Sequence, residues 1–234
     1  LKMDKNSLMR KLIPVAAGVA FILLSILTKI FGESNGANVT LFFFINNNQI
    51  GQLNGLMVAL SVYGREYVWI PVVALLWIFG RLRHKRSAFL MASAFVIGII
   101  LGVLSKQIMA EPRPFDVFSQ THVLLEKPQD FSYPSGHALI VSIGALISLL
   151  TLPKKLSVPL SAEALLVSYS RVYVGVHWPV DVLAGWLLGG FCATFVVAEE
   201  TKLSRIFDAL VSFWNKLMVA FTSGPVDLED EEDE

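Results

Sequence analysis

Apolar residues run almost unbroken through positions 12–31, 56–80, 87–110, 138–152, 158–176 and 180–198. Most of these runs approach the ~20 residues a helix needs to cross a bilayer. The polar stretches between them are too short to bury a core of their own. The pattern predicts an all-α, polytopic membrane helix bundle with six transmembrane spans, one domain filling residues 1–200. Two segments fit less simply. Arg65-Glu66 interrupts the second run, and residues 39–62, with INNNQIGQLNG as their turn, read as an interfacial or re-entrant segment before span two. After the sixth run, Leu203, Ile206, Phe207, Leu210, Trp214, Leu217, Met218 and Phe221 recur at helical spacing, with Lys202, Arg205, Asp208 and Lys216 elsewhere on the wheel. This predicts an amphipathic helix over 201–222, lying on the inner leaflet or packing within an oligomer.

Composition agrees with lipid as the solvent. The 234 residues are 54% hydrophobic, with a mean hydropathy of +0.61, well above a soluble domain. The lone Cys192 excludes an intramolecular disulfide and reads as a small core residue. The first apolar run follows Lys2, Lys5, Arg10 and Lys11; it is long for a signal peptide and reads as a retained anchor.

Charge then gives an orientation. The formal net charge is zero, but Asp227 and the run 229–234 supply seven of the nineteen acids, a terminal acidic tail expected to be disordered over 223–234. With six spans, thirteen bases share one side: the four before span one, Arg81, Arg83, Lys85, Arg86, Lys154, Lys155, Lys202, Arg205 and Lys216. Six remain for the other: Lys29, Arg65, Lys106, Arg113, Lys127 and Arg171. The basic side is the cytoplasm, so both termini are expected there and the loop bearing Tyr133 to His137 faces outward, with the plasma membrane as the expected location.

Three of the outward bases sit where a surface charge would be odd. Lys106 lies near the end of an apolar run, Arg113 stands between Pro112 and Pro114, and Arg171 follows ALLVSYS. Partly desolvated cations persist only with compensating anions. Asp181 is one, with Glu111 and Asp116 as candidate others, and the shortage of negative charge points to an anionic ligand such as phosphate. Ser135 reads as the N-cap of span four, and Gly136 lets a ligand approach the free backbone N–H groups there. His137 stands in that first turn, placed to give a proton to a departing oxygen. His177 precedes Trp178-Pro179, and Asp181, four residues on, can accept from one ring nitrogen and leave the other as a lone pair. A zinc site of His137, His177 and Asp181 is disfavoured, because adjacent arginines repel a metal cation.

Lys106-x6-Arg113-Pro114, Pro134-Ser135-Gly136-His137 and Ser170-Arg171-x5-His177-x3-Asp181 resemble the three-part signature of the type 2 phosphatidic acid phosphatase superfamily, which includes lipid phosphate phosphatases, polyprenyl diphosphate phosphatases and vanadium haloperoxidases. The resemblance covers residues 106–181. It implies that His177 is the nucleophile that forms a phosphohistidine, Asp181 its orienting partner and His137 the acid for the leaving oxygen. It implies further that Lys106, Arg113, Ser135, Gly136 and Arg171 cradle the phosphate, with Ser170 structural, and that neither cofactor nor metal is needed.

The resemblance therefore implies a membrane phosphatase acting on a lipid phosphate or diphosphate, with polyprenyl diphosphate as first choice and phosphatidylglycerophosphate or phosphatidic acid as the alternative. The expected partners are that lipid and the bilayer, with no nucleic acid. Two readings of another class are a lipid-phosphate transporter and a relative that binds without turnover. A transporter predicts charges spread through several depths, whereas the motif residues crowd one end of their spans.

Overall fold

In the computed structural model, which describes residues 5–222, the chain folds into helices joined by short connections. In order these are α1 (Lys5–Phe31), α2 (Gly36–Asn46), α3 (Gly51–Tyr63), α4 (Glu66–Ile78), α5 (Leu82–Met109), α6 (Pro114–Val117), α7 (Gly136–Thr151), α8 (Lys154–Tyr173), α9 (Pro179–Ala198) and α10 (Glu200–Thr222). No strand occurs among the described residues. The acidic tail expected over 223–234 lies outside them.

Up to Ala198 the helices form one compact unit with α7 at its centre. Helices α5, α8 and α9 pack around α7, while α1 lies on α9, α4 on α5 and α3 on α8. The α7 residues Leu139, Val141, Ile143, Ala145 and Ile147 are all buried. Small residues on α9 allow close contact there. A Cβ added to Gly185 would lie 2.8 Å from the Ser135 carbonyl oxygen, and one on Gly189 would lie 2.0 Å from Ser142 Oγ. Both distances are below van der Waals contact, so α9 sits flush on α7 only because those side chains are missing. Cys192, on the same helix, is fully buried, as its apolar setting suggests.

The outside of the unit is as apolar as its inside. Ile13, Val15, Ile22, Leu23 and Ile30 on α1, with Val96, Ile99, Val103 and Ile108 on α5, are all at least half exposed. Such a belt is stable only against lipid, and the chain is an integral membrane protein. By length and composition three segments can cross a bilayer, namely Lys11–Phe31, Leu82–Val117 and Pro179–Ala198. A fourth arises if α3 and α4, which meet at a 55° bend, count as one span. That bend falls at Gly64 and Arg65, where the polar pair breaks the second apolar run. Two helices expected to span fall outside this set. Helix α7 has only 16 residues, and α8 carries Lys154, Lys155, Glu163 and Arg171.

The second unit, residues 199–234, contains α10. The expected amphipathic helix is present with bounds one residue wider at its start. Within it Lys202 pairs with Glu199 at 2.5 Å.

Candidate active site

The loops after α5 and α8 and the starts of α7 and α9 meet at one end of the bundle, and they bring the expected site residues together. Each is positioned by a local backbone feature. Ser135 caps α7 as expected, its Oγ accepting from the Ala138 N–H at 3.4 Å. The Ser135 N–H donates to the Asp181 carbonyl at 3.0 Å, which ties the start of α7 to the first turn of α9. Pro179 begins α9 and supplies the fixed φ favoured in a first turn. Trp178 Nε1 donates to the Pro112 carbonyl at 3.1 Å, locking the Arg113 loop onto the His177 turn.

His177 lies in the turn between α8 and α9 and is 2% exposed. Its Nδ1 is 3.0 Å from Asp181 Oδ2. That oxygen also accepts from the Trp178 N–H at 2.8 Å and from Ser132 Oγ. An oxygen receiving two other donors is an acceptor for the third, so Nδ1 carries the hydrogen and Nε2 presents a lone pair. Burial, and then the charges of Arg113 and Arg171, hold the His177 pKa well below its ordinary 6.5. The ring is therefore neutral at physiological pH.

The cations surround that ring. Arg113 Nη1 stands 3.4 Å from His177 Nε2 and donates to the Val176 carbonyl at 2.6 Å. Arg171 Nη1 donates to the Ser61 carbonyl at 2.9 Å and to Ser61 Oγ at 2.5 Å. Its Nε is buried without a hydrogen-bond partner, and a buried unpaired donor is costly. Lys106 Nζ pairs with Asp130 Oδ2 at 2.8 Å and donates to the Phe131 carbonyl. The His137 ring, half-buried in the first turn of α7, has no hydrogen bond to another described residue. The charges bearing on it are, in descending order, Arg171, Arg65, Lys106 and Arg113.

The counter-anion differs from the ones expected. Asp130 pairs with both Lys106 and Arg113, the latter at 2.6 Å to Nη2. Of the two candidates chosen from sequence, Glu111 pairs with Lys29 at 3.4 Å, and Asp116 accepts from the Arg113 N–H at 3.3 Å as part of the α6 cap. Asp130 sits in the polar stretch KPQDFSYPSGH, where no periodicity marks it out. Burial alone would raise its pKa, but the hydrogen bond and charge of Lys106, with Arg113, hold it below the usual carboxylate range.

Ser132, Ser61 and Glu33 also escaped the sequence reading. Glu33, between α1 and α2, is 3% exposed, and neither of its carboxyl oxygens meets a donor. Burial, then the nearby Asp181 and Glu111 charges, push its pKa up to about 12. A raised pKa favours a proton held between this carboxyl and that of Asp181, whose Oδ1 is likewise without a donor.

Chemically the arrangement combines an oriented imidazole lone pair, cations around it, a helix N-terminus and a second imidazole free to move a proton. These parts suit displacement at phosphorus. Comparison with known proteins agrees. A model described as the PAP2 superfamily matches residues 87–204. The chain is 57% identical over 183 residues to an undecaprenyl-diphosphatase of Sulfolobus acidocaldarius, covering 77% of this chain and 88% of that protein. It is 30% identical over 181 residues to the undecaprenyl-diphosphatase BcrC of Bacillus subtilis, covering 74% of this chain and 91% of that protein. Among solved structures, a PAP2-type phosphatidylglycerolphosphate phosphatase from Bacillus subtilis superimposes with a TM-score of 0.65 at 23% identity, covering 82% of this chain and 97% of that one. The last likeness speaks to the fold.

Proposed function

The chain belongs to the PAP2 superfamily, and from that premise we propose that it is a phosphatase removing the terminal phosphate from a polyprenyl diphosphate of undecaprenyl or dolichyl type. The observation that carries the reading is the His177 ring, with Nδ1 held by Asp181 and Nε2 left as a lone pair beside Arg113. The names of the two relatives support the choice of lipid.

In the proposed first step His177 Nε2 attacks the terminal phosphorus, a P–N bond forms, and the bond to the bridging oxygen breaks. His137 gives its proton to that oxygen, and the polyprenyl monophosphate departs. Lys106, Arg113, Arg171 and the N–H groups at Gly136 hold the equatorial oxygens, whose charge grows in the transition state. Water then attacks the phosphohistidine, His137 takes a proton from it, the P–N bond breaks, and inorganic phosphate leaves with His177 neutral again. Three fixed cations supply the charge stabilisation that a metal provides elsewhere.

For the membrane arrangement we propose six spans: α1, the bent pair α3 and α4, α5, α7, α8 and α9. Helix α7 rises about 24 Å at ~1.5 Å per residue, short of the ~30 Å hydrocarbon core, and its protein neighbours would cover what it does not reach. Helix α2 then lies at the interface, and α10 on the inner leaflet. Thirteen bases on one side against six on the other favour cytoplasmic termini and an active site facing outward from a plasma membrane.

Release of inorganic phosphate by the purified protein in EDTA tests the reading, with polyprenyl diphosphate, polyprenyl phosphate, phosphatidylglycerophosphate and phosphatidic acid as separate substrates. Fastest turnover of the diphosphate is expected. Preference for either glycerolipid would replace the proposed substrate, and release from none would reject the activity.

A further inference from the structure

Arg65 stands at the bend between α3 and α4, far in sequence from every site motif, yet it reaches the phosphate cradle. A Cβ built on Gly136, the first residue of α7, would lie 3.5 Å from Arg65 Nη1. Arg65 is also one of the cations close enough to act on His137. Its Nε donates to Glu66 Oε1 at 2.5 Å, and Nη2 pairs with the same oxygen. Nη1 has no hydrogen bond among the described residues. One edge of the guanidinium is thus anchored by its sequence neighbour, and the free nitrogen is aimed over the helix N-terminus.

Within the cradle itself the guanidinium and ammonium groups outnumber the carboxylates paired with them. Lys106 and Arg113 share Asp130, and Arg65 has Glu66, while Arg171 is held by the neutral Ser61 and keeps a buried, unpaired Nε. Four cations are thus ion-paired by only two carboxylates, apart from Asp181 behind the His177 ring and Asp116 at the Arg113 backbone. Arg113 and Arg171 are buried, and Arg113 lies directly against the nucleophile. Arg65 is a third exposed and stands beside Gly136 at the start of α7. A phosphoryl group in contact with His177 Nε2 would occupy the inner cations. Its bridging oxygen would point towards His137, and anything beyond that oxygen would come under Arg65.

We propose that Arg65 is a specificity-determining residue that binds the second phosphate of a diphosphate substrate, the one that leaves still attached to the lipid. The inference rests on the phosphatase reading above and adds to it a residue that tells diphosphate from monophosphate. Glu66 fixes the guanidinium so that Nη1 keeps its direction, and a planar fork of this kind suits a phosphate oxygen better than a flexible ammonium would. With a monophosphate the position beyond the bridging oxygen is a carbon chain, and Arg65 has nothing to bind.

The test compares wild type with Arg65→Gln and Arg65→Lys on farnesyl diphosphate and farnesyl phosphate, two probes with the same tail. A charge-assisted contact made by one substrate alone predicts that the ratio of kcat/KM for diphosphate over monophosphate falls about 10- to 100-fold in Arg65→Gln. Arg65→Lys should recover part of it. An equal loss on both substrates, or no loss on either, overturns the proposal. Thermal stabilisation by inorganic pyrophosphate and by inorganic phosphate gives a reading independent of turnover. Wild type should prefer pyrophosphate, and Arg65→Gln should lose that preference while keeping its unliganded Tm. If wild type hydrolyses neither lipid yet shows this Arg65-dependent preference, the phosphatase reading falls and the diphosphate site stands. A preference that survives Arg65→Gln overturns the site.

Discussion

Arg113 Nη1 and His177 Nε2 stand 3.4 Å apart, across the ring from the Asp181 carboxylate that holds Nδ1. The imidazole is thus placed between an anion that fixes its tautomer and a cation that waits beside its lone pair. An anionic oxygen bound to Arg113 comes within reach of the nitrogen proposed to bond to phosphorus. Binding and attack are therefore set by one contact.

Removal of the proposed nucleophile should end turnover. His177→Ala is expected to lower kcat by about 10³-fold or more and to form no acid-labile phosphoenzyme. Asp181→Asn should lower kcat roughly 10²-fold or more, since the amide no longer enforces the Nδ1–H tautomer. Phosphoenzyme trapping with labelled substrate distinguishes the two variants, and a labelled adduct on His177→Ala would reject the assigned nucleophile.

The pH profile follows from the lowered His177 pKa. A histidine below its ordinary 6.5 stays neutral further into acid, so the nucleophile remains competent as pH falls through 6.5 and fails only below that. The acid limb of kcat/KM, which reports the free enzyme, should therefore lie below pH 6.5. A limb at or above 6.5 that disappears in no other variant would contradict this.

Asp130 holds Lys106 and Arg113 in the unliganded site and must share them with an incoming anion. Asp130→Asn removes that competition. Inhibition by orthovanadate, which resembles the five-coordinate phosphorus, should tighten about 3- to 10-fold. A weakened inhibition would instead mean that Asp130 holds the two cations in position.

Packing and chemistry meet at Gly185. A Cβ there would press on the Ser135 carbonyl at 2.8 Å and on Ala138 Cβ at 2.9 Å, and neither can swing away. Gly185→Ala should cost about 1–3 kcal/mol, visible as a lower Tm. It should also lower kcat well beyond the effect of a distant core substitution, because the same contact sets the distance between α7 and the His177 turn. A lowered Tm with unchanged kcat would separate the two effects.

Legibility in the sequence divides along a physical line. The membrane class, most of the helices, the cap at Ser135 and the His177–Asp181 pair were readable, because each depends on spacing along a single helix or turn. The anion that pairs directly with Lys106 and Arg113 is not legible in the sequence. Glu111 and Asp116 are nearer to Arg113 in sequence, but backbone direction sends Glu111 to Lys29 and Asp116 to a cap, leaving Asp130 to both cations. Arg65 shows in the sequence as a break in an apolar run and as one outward base among six, without any link to the motifs, and Glu33 and Ser61 give no local signal.

The sequence alone determined which segments prefer lipid and which side chains carry charge into them, since hydropathy and helical period are properties of neighbours along the chain. Only the tertiary structure decided which charges meet. That depends on how α5, α8 and α9 pack around α7 and α3 on α8, as at Gly185 and Gly189 where α9 closes on α7 between residues far apart in the chain.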